Sequence, residues 1–339
     1  MAQGLAAPTH ASAPPRQART ESPEVSVCIA NWNCAAMLRA CLESLYGQPQ
    51  GASFEVVIAD NGSADGAPEM VAREFPQVTL IRNPDNRGFA TASNQAAAAA
   101  HGRFLFFLNN DTVVPAGTLR RLIAAAEANP GAGMIGPRLR GADGLPQVSY
   151  RRRPTMAALL HKVGLLRWTG LFRRAYREYR RETFDPSRPR VVEVLLGAAV
   201  FLPREAFDAC GGWDEGFGFG VEDVDLSERV GRRAEVVYAP QAEVVHHGRA
   251  AGRANIDFAA PNVAIGYARF FRKAGASRPA LFAYKAAVTI DAPVQLVHKM
   301  LEAGYRYATR RPAKARKSLL AARGLWAFLR YELARFWKA

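Results

Sequence analysis

Cysteine is scarce in this sequence, and its spacing excludes the common cysteine-based sites. Only four cysteines occur among 339 residues, and no pair has the two-residue spacing of a zinc or thiol redox motif. No apolar signal segment opens the chain. Together these absences favour reduced thiols and predict a cytoplasmic protein.

Long apolar runs are also missing. No stretch approaches 18 uncharged apolar residues, which argues against a membrane-spanning helix. Hydrophobic residues still make up 49% of the chain, enough for the core of one large or two ordinary domains. Residues 1–23 are rich in Ala, Pro, Ser, Thr and Arg without periodicity, and we expect them to form a disordered tail.

Acidic residues are outnumbered, with 30 Asp and Glu against 45 Lys and Arg and a net charge of +15. The excess lies in two segments. Residues 151–190 hold twelve basic and three acidic side chains, and residues 261–339 hold sixteen and three. Because the remainder is net acidic, we expect anionic surfaces or substrates for these two segments only.

Short apolar runs alternate with helical patterns in the first half of the chain. The run Phe104–Leu108 is followed at once by Asn109, Asn110 and Asp111. Continuous apolar runs are typical of strands buried on both faces of a parallel sheet. The order predicts an α/β fold with a central, mostly parallel sheet flanked by helices. Similar runs begin at Val25, Phe54 and Val78.

Each predicted strand ends in polar residues at one edge of the sheet, where ligands of open α/β sheets bind. A carboxylate there, such as Asp111, is placed to hold a hard divalent cation and, through it, a phosphate. A simple Asn/Asp turn after each strand would use the same residues without a function. The polar residues at this edge are Asn33, Asp60, Asp65, Asn94 and Asp111.

Three motifs of the second half each have a structural and a functional interpretation. Glu222 and Asp223 open a helix, where acids complement the helix dipole, or they face a substrate. Trp213 is either a core residue or the floor of an acceptor site. His246 and His247 end an apolar strand, and only one of them can easily reach a site because neighbouring strand residues point to opposite faces.

Taken in order, these motifs resemble the family 2 glycosyltransferases, which have the nucleotide-binding GT-A fold. The resemblance covers about Val25 to Gly248, and it is greatest to a subgroup of bacterial rhamnosyltransferases that build cell-surface polysaccharides. The motifs are the opening strand to Asn33, Asp60-Asn-Gly-Ser63, Asn86-Arg-Gly-Phe-Ala90 with Asn94, Leu108-Asn-Asn-Asp111, Gly211-Gly-Trp-Asp-Glu215, Glu222-Asp-Val-Asp225 and His246-His-Gly248.

The resemblance implies an inverting transferase that moves a single sugar from a nucleotide-diphosphate sugar to a cell-surface glycan or lipid-linked acceptor. dTDP-rhamnose is the favoured donor, and a UDP-sugar is the next choice. The Gln-x-x-Arg-Trp signature of processive synthases is absent, which favours one or few additions per encounter.

The resemblance also implies a role for each candidate residue. Asp223 would be the general base that takes the proton from the acceptor hydroxyl. Asp111 and His246 would hold a divalent cation, either Mg²⁺ or Mn²⁺. The donor nucleotide would be contacted by Asn33, Asp60, Asn61, Gly88, Asn94, Asn110 and Asp111. The acceptor side would be formed by Trp213, Asp214 and Glu222.

These patterns predict a domain organisation. A catalytic domain at 24–255 would contain a nucleotide-sugar half (24–140), a basic insertion (141–190) and an acceptor and base half (191–255). A C-terminal region at 256–339 would consist of basic amphipathic helices.

Both basic segments have alternative interpretations. The basic insertion is either a solvated helical flap or a surface that approaches a lipid-diphosphate acceptor or its membrane. The C-terminal region has an apolar stripe flanked by Lys and Arg, which suits an anionic membrane surface; packing on the catalytic domain or on a partner chain is the alternative. We expect a peripheral protein on the cytoplasmic face of the cell membrane. The stripe comprises Leu319, Ala322, Trp326, Leu329, Leu333 and Phe336.

Two other functions fit part of the sequence. A nucleotidyltransferase on a related sheet needs a Gly, Arg and Lys-rich phosphate loop after the first strand, and the residues from Asn33 to Ala36 do not form one. A non-catalytic scaffold that binds a membrane or nucleic acid would explain the basic segments but not the acids Asp60, Asp111 and Asp223. We expect no nucleic-acid partner.

Overall fold

The computed structural model describes residues 22–180, 185–248 and 256–339. The tail predicted for residues 1–23 therefore lies almost entirely outside the described residues. The strands are β1 (Val25–Asn31), β2 (Phe54–Asp60), β3 (Thr79–Arg82), β4 (Phe104–Leu108), β5 (Thr112–Val113), β6 (Ala132–Arg140), β7 (Tyr150–Arg151), β8 (Arg190–Val191), β9 (Val194–Leu195), β10 (Ala199–Pro203) and β11 (Glu235–His246).

Helices separate most of these strands and form the whole described part of the C-terminal region. They are α1 (Ala35–Tyr46), α2 (Ala67–Glu74), α3 (Phe89–Ala99), α4 (Thr118–Ala128), α5 (Met156–Leu160), α6 (Gly164–Trp168), α7 (Arg173–Arg180), α8 (Arg204–Ala209), α9 (Glu222–Gly231), α10 (Ile256–Lys273), α11 (Arg278–Ala308), α12 (Pro312–Ala327) and α13 (Leu333–Lys338), with a π-helical turn at Phe328–Glu332.

Within the described ranges, nine strands form one mixed sheet in the order β3-β2-β1-β4-β10-β6-β11-β5, with β8 paired to β11. The first four strands are parallel, as predicted. β1 and β2 end at Asn31 and Asp60. The register pairs these two residues with each other at the carboxyl edge of the sheet.

The second half differs from the sequence prediction in its strand pairing. The apolar residues from Val191 to Leu202 predict a strand pair around Gly197 and Ala198, but β8, β9 and β10 pair with β11, β7 and β4 respectively. β8 and β9 are only two residues long. Each can satisfy its backbone groups on a longer or neighbouring strand but cannot sustain a hairpin of its own.

Helices cover both faces of the sheet because its strands are apolar on both faces. Val27, Ile29 and Phe106 belong to the core on one face. Cys28 and Phe107, their neighbours in the chain, belong to the core on the other. This alternation holds the carboxyl ends of β1 and β4 rigidly side by side.

The C-terminal region packs on the catalytic domain through a third core. Val221 and Val224, at the start of α9, pack there with Phe270 and Phe271 of α10. Most of the predicted membrane stripe also turns towards the protein. Phe336 is fully buried and Ala322 nearly so, Leu329 and Leu333 pack partly buried against this core, and Leu319 and Trp326 are exposed.

The long helix α11 differs from the expectation that the chain has no candidate for a membrane span. Among the described residues it is one helix that is long and apolar enough, by length and composition, to cross a membrane. Its apolar window has a mean hydropathy of 1.2, and only 22% of that window is buried in the protein. Isolated charges interrupt the sequence of α11, so counting uncharged residues did not reveal it.

Candidate active site

A cavity of about 800 Å³ opens at the carboxyl ends of β1 and β4. Asn109, Asn110 and Asp111 line one side of it, and Glu222 and Asp223 line another. Helix α10 closes a third side with mostly apolar residues. Strand ends, the start of a helix and the C-terminal region therefore converge on one site.

A buried network at the strand ends positions Asn110. The Asn31 amide donates to Asp60 Oδ2 at 2.7 Å and accepts from Asn110 Nδ2 at 2.7 Å. Asp60 also accepts hydrogen bonds from the Ser63 backbone and hydroxyl, at 2.8 and 2.7 Å. Asp60 is only 2% exposed. Its carboxylate lies beneath the cavity wall and organises the residues that face the cavity.

A second network orders the loop after β3. The Asn61 side chain donates to the Gly88 carbonyl at 3.1 Å and accepts from Asn83 at 3.0 Å. Gly88 has φ of +85°, a left-handed conformation that favours glycine. A Cβ at this position would lie 3.4 Å from the Gly218 carbonyl, in van der Waals contact with the facing loop, so the backbone conformation is the reason for glycine here. Asn61 and Gly88 both line the cavity.

Asp111 faces His246 across the floor of the cavity. Asp111 Oδ1 is buried without a hydrogen-bond partner in the described structure, and His246 Nε2 lies 3.4 Å from it. Gln147 holds the histidine from behind, because its Nε2 donates to the His246 carbonyl at 2.9 Å and its Oε1 lies 3.1 Å from Nδ1. Nδ1 must then carry the proton, which leaves Nε2 as the nitrogen that faces Asp111.

This arrangement fits a divalent cation. A buried carboxylate oxygen without a partner, beside an imidazole nitrogen oriented by a second hydrogen bond, is a common form of metal site. In the described parts of the chain no three His, Cys, Asp or Glu side chains converge as a ready metal site. Asp111 and His246 alone would leave several coordination positions for the oxygens of a phosphate ligand.

The first turn of α9 positions Asp223 on the opposite side of the cavity. Asp223 Oδ1 accepts from its neighbour's backbone, Val224 N–H, at 2.9 Å, and Oδ2 lies 3.4 Å from Gly197 N. Arg151 Nη2 contacts both oxygens, at 3.0 and 3.1 Å. Asp223 is therefore held in one orientation by a backbone donor and by a guanidinium from the basic insertion.

The backbone before Asp223 is strained. Val221 has φ of +102°, which is unusual for a β-branched residue. Val221 is buried, and α10 packs over it at Gly266, where a Cβ would come within 2.9 Å of the Gly220 carbonyl. Strain of this kind persists only where surrounding packing enforces it, and it occurs often at functional sites. The C-terminal region thus helps to set the position of Asp223.

Charges around Asp223 also affect its neighbours. Burial and, after it, the charge of Asp223 raise the pKa of Glu222 to about 8, so Glu222 carries a proton at neutral pH. Burial acts to lower the pKa of Arg151, but the carboxylate of Asp223 raises it above its usual value. Near neutral pH the cluster then contains one anion, one cation and one neutral acid.

Several residues predicted to line the site lie elsewhere. Asn33 binds the loop after β2, accepting from Ala64 N–H at 2.8 Å. Asn94 donates to the Trp213 carbonyl and to Glu215, both at 2.9 Å, and so connects α3 to that loop. Both amides hold loops together, and neither lines the cavity.

Trp213 and Asp214 also do not line the cavity. Trp213 is 1% exposed and packs edge-on against Phe89 and Phe107 in the core, so its structural interpretation applies. Asp214 binds α10 through Arg269 at 2.7 Å and Lys273 at 2.6 Å. Although burial opposes it, these cations lower the pKa of Asp214 to about 2. Its role is to hold the loop against the C-terminal region.

Other cavity residues were not singled out in the sequence. Asn31 does not itself line the cavity but holds Asn110, which does, and the sequence marks Asn31 only as the end of a strand. Arg151 was one of twelve basic residues in its segment, and only the pairing of β7 with β9 brings it to Asp223. Trp32, which follows β1, and Tyr267 of α10 line the cavity. Tyr267 could not have been found, because α10 lacks any motif that links it to the site.

Comparison with known proteins assigns this site to a family. Residues 26–192 match the model of the family described as "Glycosyl transferase family 2". The matched region, residues 26–192, therefore belongs to glycosyltransferase family 2. This glycosyltransferase contains the Asp111 motif within the matched region, and family membership removes the nucleotidyltransferase and scaffold alternatives.

Curated relatives of this glycosyltransferase include N-acetylglucosaminyl-diphospho-decaprenol L-rhamnosyltransferase of Mycobacterium tuberculosis. The two are 34% identical over 207 residues, which is 57% of this chain and 66% of the relative. The succinoglycan biosynthesis protein ExoO of Rhizobium meliloti is 38% identical over 107 residues, or 31% of this chain and 30% of that protein. The chain thus spans just under two thirds of the first relative and less of the second.

Solved structures share the GT-A fold with this glycosyltransferase. The mannosyltransferase PcManGT of Pyrobaculum calidifontis, solved with GDP-Man and Mn²⁺, has a TM-score of 0.51 and 20% identity, covering 94% of this chain and 87% of that one. GalNAc-T7, solved with UDP, GalNAc and Mn²⁺, has a TM-score of 0.52 and 18% identity, covering 72% and 47%.

Proposed function

We propose that this glycosyltransferase transfers one sugar from a nucleotide-diphosphate sugar to a glycan or lipid-linked acceptor, with inversion at the anomeric carbon. The main support is the placement of two carboxylates, Asp111 and Asp223, on different sides of one cavity. A single displacement needs both a group that binds the leaving diphosphate and a base for the attacking hydroxyl. dTDP-rhamnose is the favoured donor, by similarity to the mycobacterial relative named as a rhamnosyltransferase, and a UDP-sugar is the next choice.

Asp111 and His246 would hold a divalent cation, Mg²⁺ or Mn²⁺, and such an ion would stabilise the negative charge of the departing nucleotide diphosphate. Asn110, fixed by Asn31, and the loop at Asn61 and Gly88 would bind the nucleotide portion. Asp60 supports this wall through its hydrogen bond with Asn31.

Asp223 takes the proton from the acceptor hydroxyl as that oxygen attacks. A positioned carboxylate of this kind contributes about 10²–10⁴-fold to the rate. Arg151 and the backbone donors fix the orientation of its carboxylate. Glu222, which lines the same side and is protonated near neutral pH, leaves Asp223 as the only anion of this pair.

A division of the chain follows from these roles. The half at 24–140 would bind the donor, and the half at 191–255 would supply the base. The insertion at 141–190 would contribute Arg151, and the region at 256–339 would close the site and attach the enzyme to the cytoplasmic face of a membrane. A lipid-linked acceptor is supported by the mycobacterial relative, whose name specifies a diphospho-decaprenol.

The test is release of nucleotide diphosphate from a panel of sugar nucleotides, with Mn²⁺, with Mg²⁺ and with a chelator. We expect cation-dependent release from one donor, through slow hydrolysis even without the acceptor. If no sugar nucleotide is hydrolysed, donor binding is measured by calorimetry. A protein that binds no sugar nucleotide would overturn the proposal.

A further inference from the structure

Helix α11 carries its apolar side chains on the outside. Ile290, Val294, Val297 and Leu301 are between 49% and 69% exposed. Their spacing of four, three and four residues puts them on one face of the helix, over roughly 16 Å of its length. We call these four residues the α11 outer stripe. In a helix on the surface of a soluble domain, apolar residues would face inwards instead.

Three charged residues within α11 have partners on the side of the helix that faces the protein. Lys285 Nζ donates to the Trp337 carbonyl at 2.9 Å. Asp291 accepts from the Gly164 backbone of α6 at 3.0 Å. Glu302 pairs with Lys299 at 2.8 Å and accepts from Ser318 of α12 at 3.1 Å. The helix is therefore attached to the domain by its polar side, with its apolar side outwards.

This attachment favours a helix that lies along an apolar phase and does not cross it. A spanning helix would have to take Lys285, Asp291 and Glu302 away from their partners and into hydrocarbon, which is costly. The basic insertion packs on α11, because the Gly164 N–H donates to Asp291. One turn further along α6, Trp168 is 92% exposed, and tryptophan favours the boundary between lipid and water.

The charge of the segment that follows the stripe in the chain favours a membrane over a second copy of the chain as the partner. No acidic residue occurs between Glu302 and Glu332, while this segment contains eight Lys and Arg. A dimer joined through this face would bring two such basic segments together. An anionic lipid surface is complementary to them, and each basic residue near such a surface adds to the attraction.

We propose that the α11 outer stripe is the surface that rests on an anionic lipid bilayer, with α11 parallel to the membrane. The proposal rests on the proposed function for its biological purpose, since a lipid-linked acceptor would be reached from the membrane surface. It replaces the stripe between Leu319 and Phe336, most of which is packed against the protein, as the main membrane contact.

The test is flotation of the full-length protein with vesicles of phosphatidylglycerol and of phosphatidylcholine. We expect the wild type to float with the anionic vesicles and to bind neutral ones more weakly. The triple variant Ile290→Gln, Val297→Gln, Leu301→Gln should lose at least about tenfold in vesicle affinity, because three apolar side chains no longer enter the lipid.

A matched control is Leu145→Gln, Val148→Gln, Val191→Gln, which changes three other exposed apolar residues and should float like the wild type. The stripe variant should retain donor hydrolysis. A wild type that does not float, or a stripe variant that floats equally well, would overturn the proposal. So would a wild-type dimer that becomes monomeric in the stripe variant without any vesicle binding. Flotation that persists in a protein that binds no sugar nucleotide would contradict the proposed function and leave the membrane surface standing.

Discussion

Asp111 and Asp223 line the same cavity, yet the protein treats the two carboxylates in opposite ways. Asp111 keeps a buried oxygen without a hydrogen-bond partner, facing His246. Asp223 has its two oxygens engaged by Arg151 and by backbone N–H groups. The difference indicates that Asp111 has an oxygen available to bind a ligand, whereas Asp223 is held in a fixed orientation. Each of the following predictions would break or sharpen that contrast.

The largest effect is expected for Asp223→Asn. The amide keeps the shape of the side chain but cannot accept the proton, so transfer should fall about 10²–10⁴-fold. Donor affinity should be unchanged. Nucleotide-diphosphate release and calorimetric donor binding would be measured side by side, with the exposed Asp208→Asn on α8 as a control expected to match the wild type. An Asp223→Asn variant with normal release would show that the base lies elsewhere.

Asp111→Asn should come next. Loss of the charged oxygen should lower apparent Mn²⁺ affinity by at least about 100-fold, since even the hydrogen-bond partners of metal ligands contribute about 10–100-fold. The measurement is donor hydrolysis as a function of Mn²⁺ concentration. Asp208→Asn again serves as the matched control, and an unchanged Mn²⁺ dependence would contradict the assignment.

Gln147→Leu should weaken the same site less. It removes the hydrogen bond that orients His246, and we expect roughly a tenfold loss of Mn²⁺ affinity with the maximal rate retained at high Mn²⁺. A loss that saturating Mn²⁺ does not restore would show that Gln147 supports only the fold.

Arg151→Gln tests the other carboxylate. Asp223 would lose the guanidinium that contacts both of its oxygens, and a misoriented base should lower kcat about tenfold with donor KM unchanged. Arg151→Lys retains the charge and should recover part of the rate. If Arg151→Gln and Arg151→Lys lower kcat equally and both lower Tm, Arg151 has only a folding role.

Glu222→Gln should have the smallest effect, and it should appear in stability. The folded state raises the pKa of Glu222 from 4.5 to about 8. An acid with a raised pKa destabilises the fold progressively as pH rises from about 4.5 to 8, because the unfolded chain releases its proton first. The variant should therefore raise Tm by roughly 2–4 °C at pH 8.5 and leave it unchanged at pH 4. The control Glu205→Gln, at an exposed position on α8, should show no such pH dependence of Tm. A change in Tm for Glu222→Gln that is the same at pH 4 and pH 8.5 would contradict the prediction.

Asp223 and His246 were assigned to the site by resemblance to a family, whereas the sequence itself was sufficient to predict the parallel half of the sheet and the position of Asp111 at its edge. Apolar runs that end in polar residues carry that information locally. It was not sufficient for Arg151 or Tyr267, because their place depends on the pairing of β7 with β9 and on the packing of α10. Trp213 and Asn94 were assigned to the site on motif order alone, and tertiary packing directs both into structural contacts.

The apolar stripe predicted between Leu319 and Phe336 shows a second limit of prediction from the sequence. A three-to-four-residue apolar period identifies an amphipathic helix but does not say which phase the apolar face contacts. Phe336 and Ile290 both belong to such patterns, yet Phe336 is fully buried and Ile290 is 60% exposed. Only the contacts of the charged residues on the opposite side of α11 distinguish the two cases.

The central claim is that Asp111 binds the cation and the diphosphate while Asp223 handles the proton. The most direct measurement is calorimetric affinity for the donor that the wild type hydrolyses, with Mn²⁺ and with a chelator, in Asp111→Asn and in Asp223→Asn. The account predicts that Asp111→Asn loses the gain in affinity that Mn²⁺ provides, and that Asp223→Asn keeps it. An Asp111→Asn variant that keeps this gain, or an Asp223→Asn variant that loses it, would contradict the account.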